Sequence, residues 1–469
     1  MTNTVLDPRI GDPIRRAPRP YRPVRQRALV RLLSLPSVAV PVAVLGTAML
    51  ALVGLAAPND HTLDARLPLS VLPTLPGAAS TFITVGAIAL QLVGLLGMLA
   101  ANAEGWRPRP GRLFAVGAAT AALFACLTPI GSADVASYAA YGRIAALGGD
   151  PYVDTPDRLG GAYEHLVSSS WIHTPSVYGP VATWIQQAAA EIGGSRPWLT
   201  IWLLMLANAA VYLAVGGLLL RTAKDKTRAC LLWTANPLLL GQMVGGGHLD
   251  TYVAGAGLLA VLFAKRGGRA GRAWDAGHGM LIRDDLLSGV FLGLACGVKV
   301  SAALLGLGLV WPLLRQDAWA RALRIAGAGL ATLAALYSAY GLHAFAPLSS
   351  ASGQVSVPSF WQMVQWAGRS TIGASATSTL ISVSWPVLLL VIAFLLQRRI
   401  PRTAPADAAL PFALVFAWII VAPWCMPWYA AIAWPLAAVL PRSRTTKWLA
   451  LLSAVLAMVH NTGGHGWVW

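Results

Sequence analysis

The carboxylate of Asp134 lies at the edge of an apolar segment, where it could take a proton from a substrate hydroxyl. In "TPIGSADVASYAAYGRIAALGGDPYVDTP", Asp134 follows an apolar run and opens a piece with tyrosines and small residues at helical spacing. The positive end of a helix dipole favours the ionised carboxylate, so we expect Asp134 to be charged at neutral pH. Such a carboxylate in a cavity can act as a general base. An N-cap aspartate is the alternative role.

Lys299 and the stretch "VGGGHLD" add further ionisable groups within or beside apolar runs of a length that could cross a membrane. An ionisable residue at membrane depth indicates a functional site, although a lysine that snorkels to the interface is the alternative for Lys299. The three glycines allow close backbone approach and leave His248 and Asp250 to bind phosphate or sugar hydroxyls. A helix C-cap with polar residues in water is the alternative there. Because no third ligand follows at a suitable spacing, we predict no metal site.

The composition is typical of a membrane protein. The chain has 469 residues, of which 56% are hydrophobic and 11% are charged, whereas soluble proteins average about 25% charged residues. The four cysteines lie apart in or beside apolar runs, without a CxxC pair, and we interpret them as small hydrophobic residues. The sequence contains no GxxxxGK[ST] phosphate loop, and we expect no cofactor.

Apolar runs long enough to cross a bilayer predict an all-α, polytopic membrane protein with about 13 transmembrane helices. The predicted spans are 36–57, 80–101, 113–130, 197–220, 229–244, 251–264, 286–298, 300–314, 322–341, 376–397, 405–423, 428–440 and 447–460. We expect one transmembrane domain, 36–469, after a basic, proline-rich and disordered tail, 1–35. The first span lacks a small-residue cleavage site, so we do not interpret it as a signal peptide.

Most Lys and Arg residues lie in the tail and in loops on one side of these spans. The positive-inside rule therefore predicts a plasma-membrane protein with a cytoplasmic N-terminus. The charge of +17 is spread over short loops rather than gathered on one face, which argues against nucleic-acid binding. The largest loop, 131–196, is then extracytoplasmic. Its two helix-like pieces, 134–147 and 181–192, are apolar on one face and should lie in the interface plane.

The segment 286–314 is too long for one ordinary span and too short for two. Because basic loops flank both of its ends, we predict two short, broken helices that meet at Lys299. Short, interrupted helices in a membrane protein tend to line a cavity rather than face lipid. The sequence therefore predicts a cavity in the membrane domain.

Four stretches, in order, resemble bacterial polyprenol-phosphomannose-dependent mannosyltransferases, GT-C fold enzymes of the lipomannan α-1,6-mannosyltransferase type. They are "SADVASYAAYGRIAALGGDPY", "HTPSVYGP", "NPLLLGQMVGGGHLD" and "WCMPWYAAIAWPL". The resemblance spans about 110–440, and the four motifs together are more specific than any one alone. The sequence departs from the family pattern at Ala133, where relatives often carry a larger polar or basic residue, and in its long tail.

The resemblance implies an inverting glycosyl transfer outside the cytoplasm. A hydroxyl of a glycolipid or mannan acceptor would attack the anomeric carbon of β-mannosyl polyprenyl phosphate and form an α-mannoside. Asp134 matches the family's catalytic position and would take the acceptor proton. Because phosphate leaves without a general acid, one carboxylate suffices, unlike the pair in glycoside hydrolases.

Other candidate residues follow from the chemistry that such a transfer would need and from their positions in the sequence. The leaving phosphate needs positive charge or hydrogen-bond donors, and Lys299 and His248 are the candidates. The candidates for binding the sugar or the acceptor are Tyr138, Arg143, Asp150, His173, Tyr178, Asp250 and Trp361. Tyr138 could equally be a packing residue. Tryptophans at span ends, such as Trp424 and Trp428, are interpreted as interfacial anchors, whereas Trp361 could stack on a sugar.

Two other classes of protein share some of these features. A transporter or lipid flippase would also have broken helices and charge within the membrane, but the large acidic loop and the lack of an obvious inverted repeat argue against it. A GT-C transferase that uses an arabinofuranosyl or glucosyl lipid phosphate is the other alternative, and the sequence does not discriminate it. A non-catalytic relative is disfavoured because Asp134 is retained.

Overall fold

Helices form the regular structure of the residues that the computed structural model describes, which are 28–270, 278–351 and 353–463. The α-helices, numbered α1 to α20 in chain order, are Ala28–Leu33, Pro36–Leu55, Gly77–Ala103, Pro110–Ala125, Asp134–Ala146, Gly161–Leu166, Pro180–Gly193, Pro197–Thr222, Lys226–Leu232, Pro237–Leu239, Asp250–Ala270, His278–Val298, Ala303–Leu314, Trp319–Tyr337, Ala346–Ala351, Trp361–Thr371, Ala374–Gln397, Ala406–Val421, Ala433–Val439 and Arg444–Gly463. Turns of 3-10 or π helix lie at Pro156–Arg158, Leu240–Gly245, Val300–Ala302, Leu342–Phe345 and Pro427–Ile432. The all-α prediction is confirmed for these ranges.

Four helices in the described ranges, α2, α3, α8 and α17, are long and apolar enough to cross a membrane. Helix α14 and the segment Leu342–Ser349 add a fifth span, bent by 108°, if that pair is counted as one. Three shorter apolar helices are Pro110–Ala125, Val300–Leu314 and Ala406–Val421. These helices support the prediction of a membrane protein. The figure of about 13 spans stays a prediction.

The predicted break at Lys299 is confirmed. Helix α12 ends at Val298, and Lys299 has an extended backbone with φ −153° and ψ 125° before the chain continues as a 3-10 turn and α13. At the other end of the chain, residues 28–33 of the predicted tail form α1, and the rest of that tail up to residue 27 lies outside the described residues.

Two predicted spans are not continuous helices. Within 229–244, α9 ends before Asn236, whose side chain accepts hydrogen bonds from the amides of Leu238 and Leu239 and caps α10. Within 428–440, a 3-10 turn precedes α19. Both stretches are largely buried, and backbone buried in protein need not form an uninterrupted helix to stay out of lipid.

Large aromatic side chains hold the centre of the fold. The rings of Tyr212 in α8 and Trp233 stack with centroids 4.9 Å apart, and each side chain donates a hydrogen bond to the backbone carbonyl of the other residue. Trp434 in α19 and Phe412 in α18 are also fully buried, and α19 contacts both α8 and α18. Aromatic side chains of this kind bury about 150–250 Å² each and dominate core energetics.

The loop 131–196 contains α5 and α7, which agree closely with the predicted helical pieces. Helix α5 is buried from Val135 to Gly142 and contacts α7 and α8. Its many small residues thus let α5 pack inside the protein rather than on its surface, and its position in the interface plane stays a prediction. Helix α7 does keep an exposed apolar side at Trp184 and Ile192.

Two glycines allow close packing, one inside this loop and one between the loop and the end of α12. A Cβ at Gly142 in α5 would lie 2.2 Å from the backbone oxygen of Gln186 in α7. A Cβ at Gly179, just before α7, would lie 2.3 Å from the backbone oxygen of Gly297. The amide of Gly179 also donates a hydrogen bond of 3.0 Å to the carbonyl of Val298. These approaches set the loop directly against the break that follows α12.

Candidate active site

A cavity of about 630 Å³ brings together residues from distant parts of the chain. Its ionisable and hydroxyl-bearing lining residues are Asp134, Ser137, Tyr141, Tyr178, Lys299, Ser301 and Tyr429. The rest of its lining is mainly apolar, and includes Leu304, Leu307, Leu348, Trp385, Trp418 and Trp424. The cavity therefore has groups for polar and charged chemistry together with an extended apolar wall.

Asp134 is the first residue of α5, and Ala133 holds the N-cap position, which removes the N-cap role. The Asp134 amide donates a hydrogen bond of 3.1 Å to Ser132 Oγ. Its carboxylate accepts a hydrogen bond from the Tyr138 hydroxyl at 3.4 Å and is 22% exposed. Burial raises the pKa of Asp134 to about 6, and the positive charge of Lys299 opposes this rise. Asp134 is thus ionised at pH 7, but more basic than an exposed aspartate.

Lys299 is held by two contacts at the break between α12 and α13. Its Nζ lies 3.1 Å from Asp250 Oδ1 and 3.6 Å from the centroid of the Tyr429 ring. The side chain is only 14% exposed, so the alternative in which Lys299 snorkels to the membrane surface does not apply. Asp250 is buried at the first residue of α11. It therefore acts on the cavity through Lys299 and does not line it.

His248 lies behind Asp134 rather than at the cavity surface. The imidazole is 1% exposed and stacks on Trp428, with ring centroids 3.8 Å apart and planes 10° apart. Its Nδ1 lies 3.6 Å from Asp134 Oδ2, and that nitrogen has no hydrogen-bond partner among the residues that the structure describes. Burial lowers the pKa of His248 well below its usual value, and the charges of Lys299 and His460 act in the same direction. The ring is therefore neutral at pH 7 and lies close to the Asp134 carboxylate, and it is not among the residues that line the cavity.

Tyr138 and Tyr178 support the same carboxylate. The two rings meet edge to face with centroids 5.0 Å apart. Tyr178 lines the cavity, whereas Tyr138 is 1% exposed and contributes its hydroxyl to Asp134. The structure thus supports Tyr178 as a substrate-contact candidate, and gives Tyr138 the packing and positioning role that the sequence left open.

Arg143 and Asp150 lie away from the cavity lining. The guanidinium carbon of Arg143 lies 5.9 Å from the centroid of the Tyr163 ring. The Asp150 carboxylate lies 2.6 Å from His343 Nε2 and accepts a hydrogen bond from the Tyr152 amide. Both side chains therefore contact other parts of the fold and are not among the lining residues of the cavity, and their contact with a sugar or acceptor stays a prediction.

His173 and Trp361 are likewise not among the lining residues. His173 pairs with Asp157 at 3.0 Å, and its side chain is 76% exposed. The indole nitrogen of Trp361 donates a hydrogen bond of 2.6 Å to the Val421 carbonyl, and Trp361 is 4% exposed. Burial leaves no open ring face for the predicted stacking of Trp361 on a sugar.

The sequence did not predict that aromatic residues form one wall of the cavity. Trp424 and Trp428, interpreted as interfacial anchors, both line the cavity. Trp424 meets Trp171 edge to face with centroids 5.7 Å apart, and Trp418 stacks on Tyr429 at 5.1 Å. The motif "WCMPWYAAIAWPL" was the available signal, since it places three aromatic residues within six positions beside a proline turn.

Comparison with known sequences identifies relatives of this chain. A family model described as "Alpha-(1->6)-mannopyranosyltransferase, N-terminal domain" matches residues 34–315. Alpha-(1->6)-mannopyranosyltransferase B of Corynebacterium glutamicum is 31% identical over 44% of this chain and 36% of the relative. A probable alpha-(1->6)-mannopyranosyltransferase of Mycolicibacterium smegmatis is 30% identical over 39% of this chain and 36% of the relative. Alpha-(1->6)-mannopyranosyltransferase A of Mycobacterium tuberculosis is 25% identical over 72% of this chain and 67% of the relative.

The chain thus spans 36% of the length of each of the first two relatives. No solved structure matches it. The family match covers more than half of the chain and includes Asp134, His248 and Lys299. The chain belongs to the alpha-(1->6)-mannopyranosyltransferase family.

Proposed function

We propose that this protein is an integral-membrane, inverting glycosyltransferase of the GT-C fold. It transfers mannose from polyprenyl-phosphate mannose to a glycolipid or mannan acceptor on the extracytoplasmic side of the plasma membrane, and it forms an α-mannoside. The observation that carries the proposal is the single cavity that Asp134, Lys299 and an apolar aromatic wall line together. The family match supports the mannosyl chemistry.

The reaction needs one proton acceptor, and we assign that role to Asp134, which lines the cavity. An acceptor hydroxyl oxygen bonds to the anomeric carbon as the bond from that carbon to the phosphate oxygen breaks. The hydroxyl proton passes to the Asp134 carboxylate, whose raised pKa of about 6 makes it a better base while leaving it ionised at neutral pH. The displacement occurs in one step, so the configuration at the anomeric carbon inverts.

Lys299 has the matching role at the leaving group. The phosphate departs with the electron pair of the broken bond. Because phosphate is stable as an anion, no general acid has to protonate it, but its negative charge must be stabilised. A preorganised cation is worth most where it is partly shielded from water. Lys299 meets that condition, because the contacts with Asp250 and Tyr429 fix its ammonium in the cavity wall.

The apolar wall accounts for a lipid-linked donor. Leu304 and Leu307 of α13 and Trp385 of α17 line the cavity, and Leu307 is 48% exposed on the surface of the helix bundle. A polyprenyl chain can lie along this wall and continue into the bilayer, while its phosphate stays beside Lys299. A water-soluble sugar nucleotide would gain nothing from such a surface.

The test is mannosyl transfer from polyprenyl-phosphate mannose by the purified chain in lipid bilayers, wild type against Asp134→Asn. Asp157→Asn is the matched control, because it makes the same change in the same loop away from the cavity lining. We expect activity in the wild type and the control and a loss of at least about 100-fold in Asp134→Asn. Equal transfer by all three proteins would remove the base assignment. Transfer only from an arabinofuranosyl or glucosyl donor would replace the mannose assignment.

A further inference from the structure

A second cavity, of about 290 Å³, lies between the end of α3 and the start of α20. Its lining residues are Leu99, Asn102, Ala103, Arg228, Arg442, Ser443, Arg444, Thr446 and Lys447. Four of these residues are cationic and none is acidic. None of them lines the first cavity. This composition is that of an anion site.

Two of the four cations are fixed by the fold. Arg228 is buried and donates hydrogen bonds to the Leu440 carbonyl at 3.0 Å and to the Thr446 hydroxyl at 3.1 Å. Arg442 pairs with Asp225 at 2.9 Å. The guanidinium groups on this side of the cavity are therefore preorganised, and little side-chain entropy remains to be lost when a ligand binds.

The other two cations lack a counter-charge. Arg444 and Lys447 have exposed side chains, and neither forms an ion pair with an acidic side chain in the described parts of the chain. They are three positions apart at the start of α20, so they lie on the same face of that helix. Two like charges on one face repel each other unless an anion is shared between them.

The cavity lies where an apolar span ends. Helix α3 is one of the four helices able to cross a membrane, and its last residue, Ala103, lines the cavity together with Leu99 one turn earlier. Trp448, 38% exposed, follows Lys447 directly, and tryptophan is enriched at membrane interfaces. The lining thus combines a charged half with an apolar half, as a lipid headgroup and its acyl chain require.

This site is at the opposite end of α20 from the first cavity. Near the other end of that helix, His460 Nε2 lies 2.8 Å from the carbonyl oxygen of Gly131, three residues before Asp134. The rise of 1.5 Å per residue puts these two ends about 24 Å apart. The second cavity is therefore not an extension of the glycosyl-transfer site.

We propose that the second cavity binds the phosphate group of an anionic membrane lipid at the membrane face opposite the first cavity. Arg444 and Lys447, which form no ion pair in the described ranges, bind the phosphate directly. Arg228 and Arg442 line the same cavity and add positive charge, while their hydrogen bonds to Leu440 and Asp225 hold them in place. Basic pockets between transmembrane helices bind lipid headgroups in this way. The proposal does not depend on the glycosyl transfer, since it uses none of the residues of that site.

The test uses the full chain in a neutral detergent. Binding of phosphatidylglycerol and of phosphatidylcholine is measured by native mass spectrometry, with inorganic phosphate as a competitor. The variant is Arg444→Gln with Lys447→Gln, which removes the two unpaired charges and leaves the contacts of Arg228 intact. The control is Arg399→Gln with Arg402→Gln, two exposed arginines that do not line the cavity.

We expect phosphatidylglycerol binding to fall by at least about tenfold in the Arg444 and Lys447 variant and to be unchanged in the control. Phosphatidylcholine should bind weakly to all three proteins. Equal loss in the variant and the control would show a diffuse charge effect and overturn the site. Binding of inorganic phosphate that depends on Arg444 and Lys447, without binding of phosphatidylglycerol, would overturn the lipid as its occupant.

Discussion

The ammonium of Lys299 lies 3.1 and 3.2 Å from the two carboxylate oxygens of Asp250, and Asp250 is 1% exposed. When one member of a buried ion pair is removed, the other charge is left uncompensated at a cost of about 3–5 kcal/mol. Lys299→Gln alone would therefore lower stability as well as activity. The double variant Lys299→Gln with Asp250→Asn separates the two effects, because it buries no unpaired charge.

In the double variant we expect the unfolding temperature to return close to the wild-type value. Mannosyl transfer should stay at least about 100-fold lower, since no cation remains at the leaving phosphate. Thermal unfolding and transfer are measured on the same preparations. Recovery of transfer together with stability would mean that Lys299 serves only to balance the charge of Asp250.

The pH dependence of mannosyl transfer should follow the ionisation of the Asp134 carboxylate. Burial raises its pKa from 3.8 to about 6 in the folded protein, so the base is ionised above that pH and protonated below it. We expect kcat/KM to be level above about pH 6 and to fall about tenfold for each unit below it. Lys299 lowers this pKa and Asp250 raises it, with Lys299 the larger effect, so the acid limb should move to higher pH in Lys299→Gln and by less in the double variant. An acid limb that also persists in the residual activity of Asp134→Asn would assign it to another group.

Gly179 should be intolerant of a side chain. A Cβ there would lie 2.3 Å from the Gly297 backbone oxygen, and overpacking of this kind typically costs about 1–3 kcal/mol. Gly179→Ala should push the loop away from the break at Lys299 and lower both stability and transfer. Gly217→Ala is the control, because a Cβ at Gly217 meets nothing within 4 Å. Equal behaviour of the two variants in thermal unfolding would show that this contact is not needed.

Leu307 should matter for the lipid part of the donor. Leu307→Asp places a charge on the apolar wall and should raise the KM for a long-chain polyprenyl-phosphate mannose by about tenfold or more. A donor with a short isoprenoid chain should be affected less. Leu330→Asp is the control, since Leu330 is 67% exposed on α14 and does not line the cavity. The same rise in KM for both chain lengths would place the lipid elsewhere.

The predicted orientation can be tested with two single cysteines. Leu147 is 62% exposed at the end of α5 in the loop 131–196, and Arg399 is exposed in the loop that follows α17. A membrane-impermeant maleimide applied to intact cells should label Leu147→Cys and not Arg399→Cys. Permeabilised cells provide the control, since both should then react. Labelling of Arg399→Cys in intact cells would reverse the orientation.

The sequence predicted the structure best where the prediction depended on residues close together in the chain. The break at Lys299 followed from segment length and flanking charge, and the helices of the large loop followed from residue spacing. Asp134 and Lys299 were predicted separately, and they line one cavity. Their meeting depends on the approach of Gly179 to Gly297, which joins positions 118 residues apart in the chain. No periodicity in the sequence reports such a contact.

Predictions from residue type alone were least reliable for side chains whose partners lie far away in the sequence. Asp150 pairs with His343 across 193 positions, and the buried Trp361 is bonded to the Val421 carbonyl. Polar loop residues can satisfy one another as readily as they bind a ligand, and an aromatic ring near a span end can turn inward as readily as outward. Trp428 turned inward, where it stacks on His248.

The exposed flank of the cavity at Leu307 has a consequence for turnover. If the lipid chain of the donor rests there, the spent carrier can diffuse sideways into the bilayer, while the extended glycan departs toward the aqueous side. The two products then use separate exits and do not obstruct each other. A fresh donor could slide in along the same flank while the growing glycan is still in place, so repeated addition to one chain requires no full release between rounds.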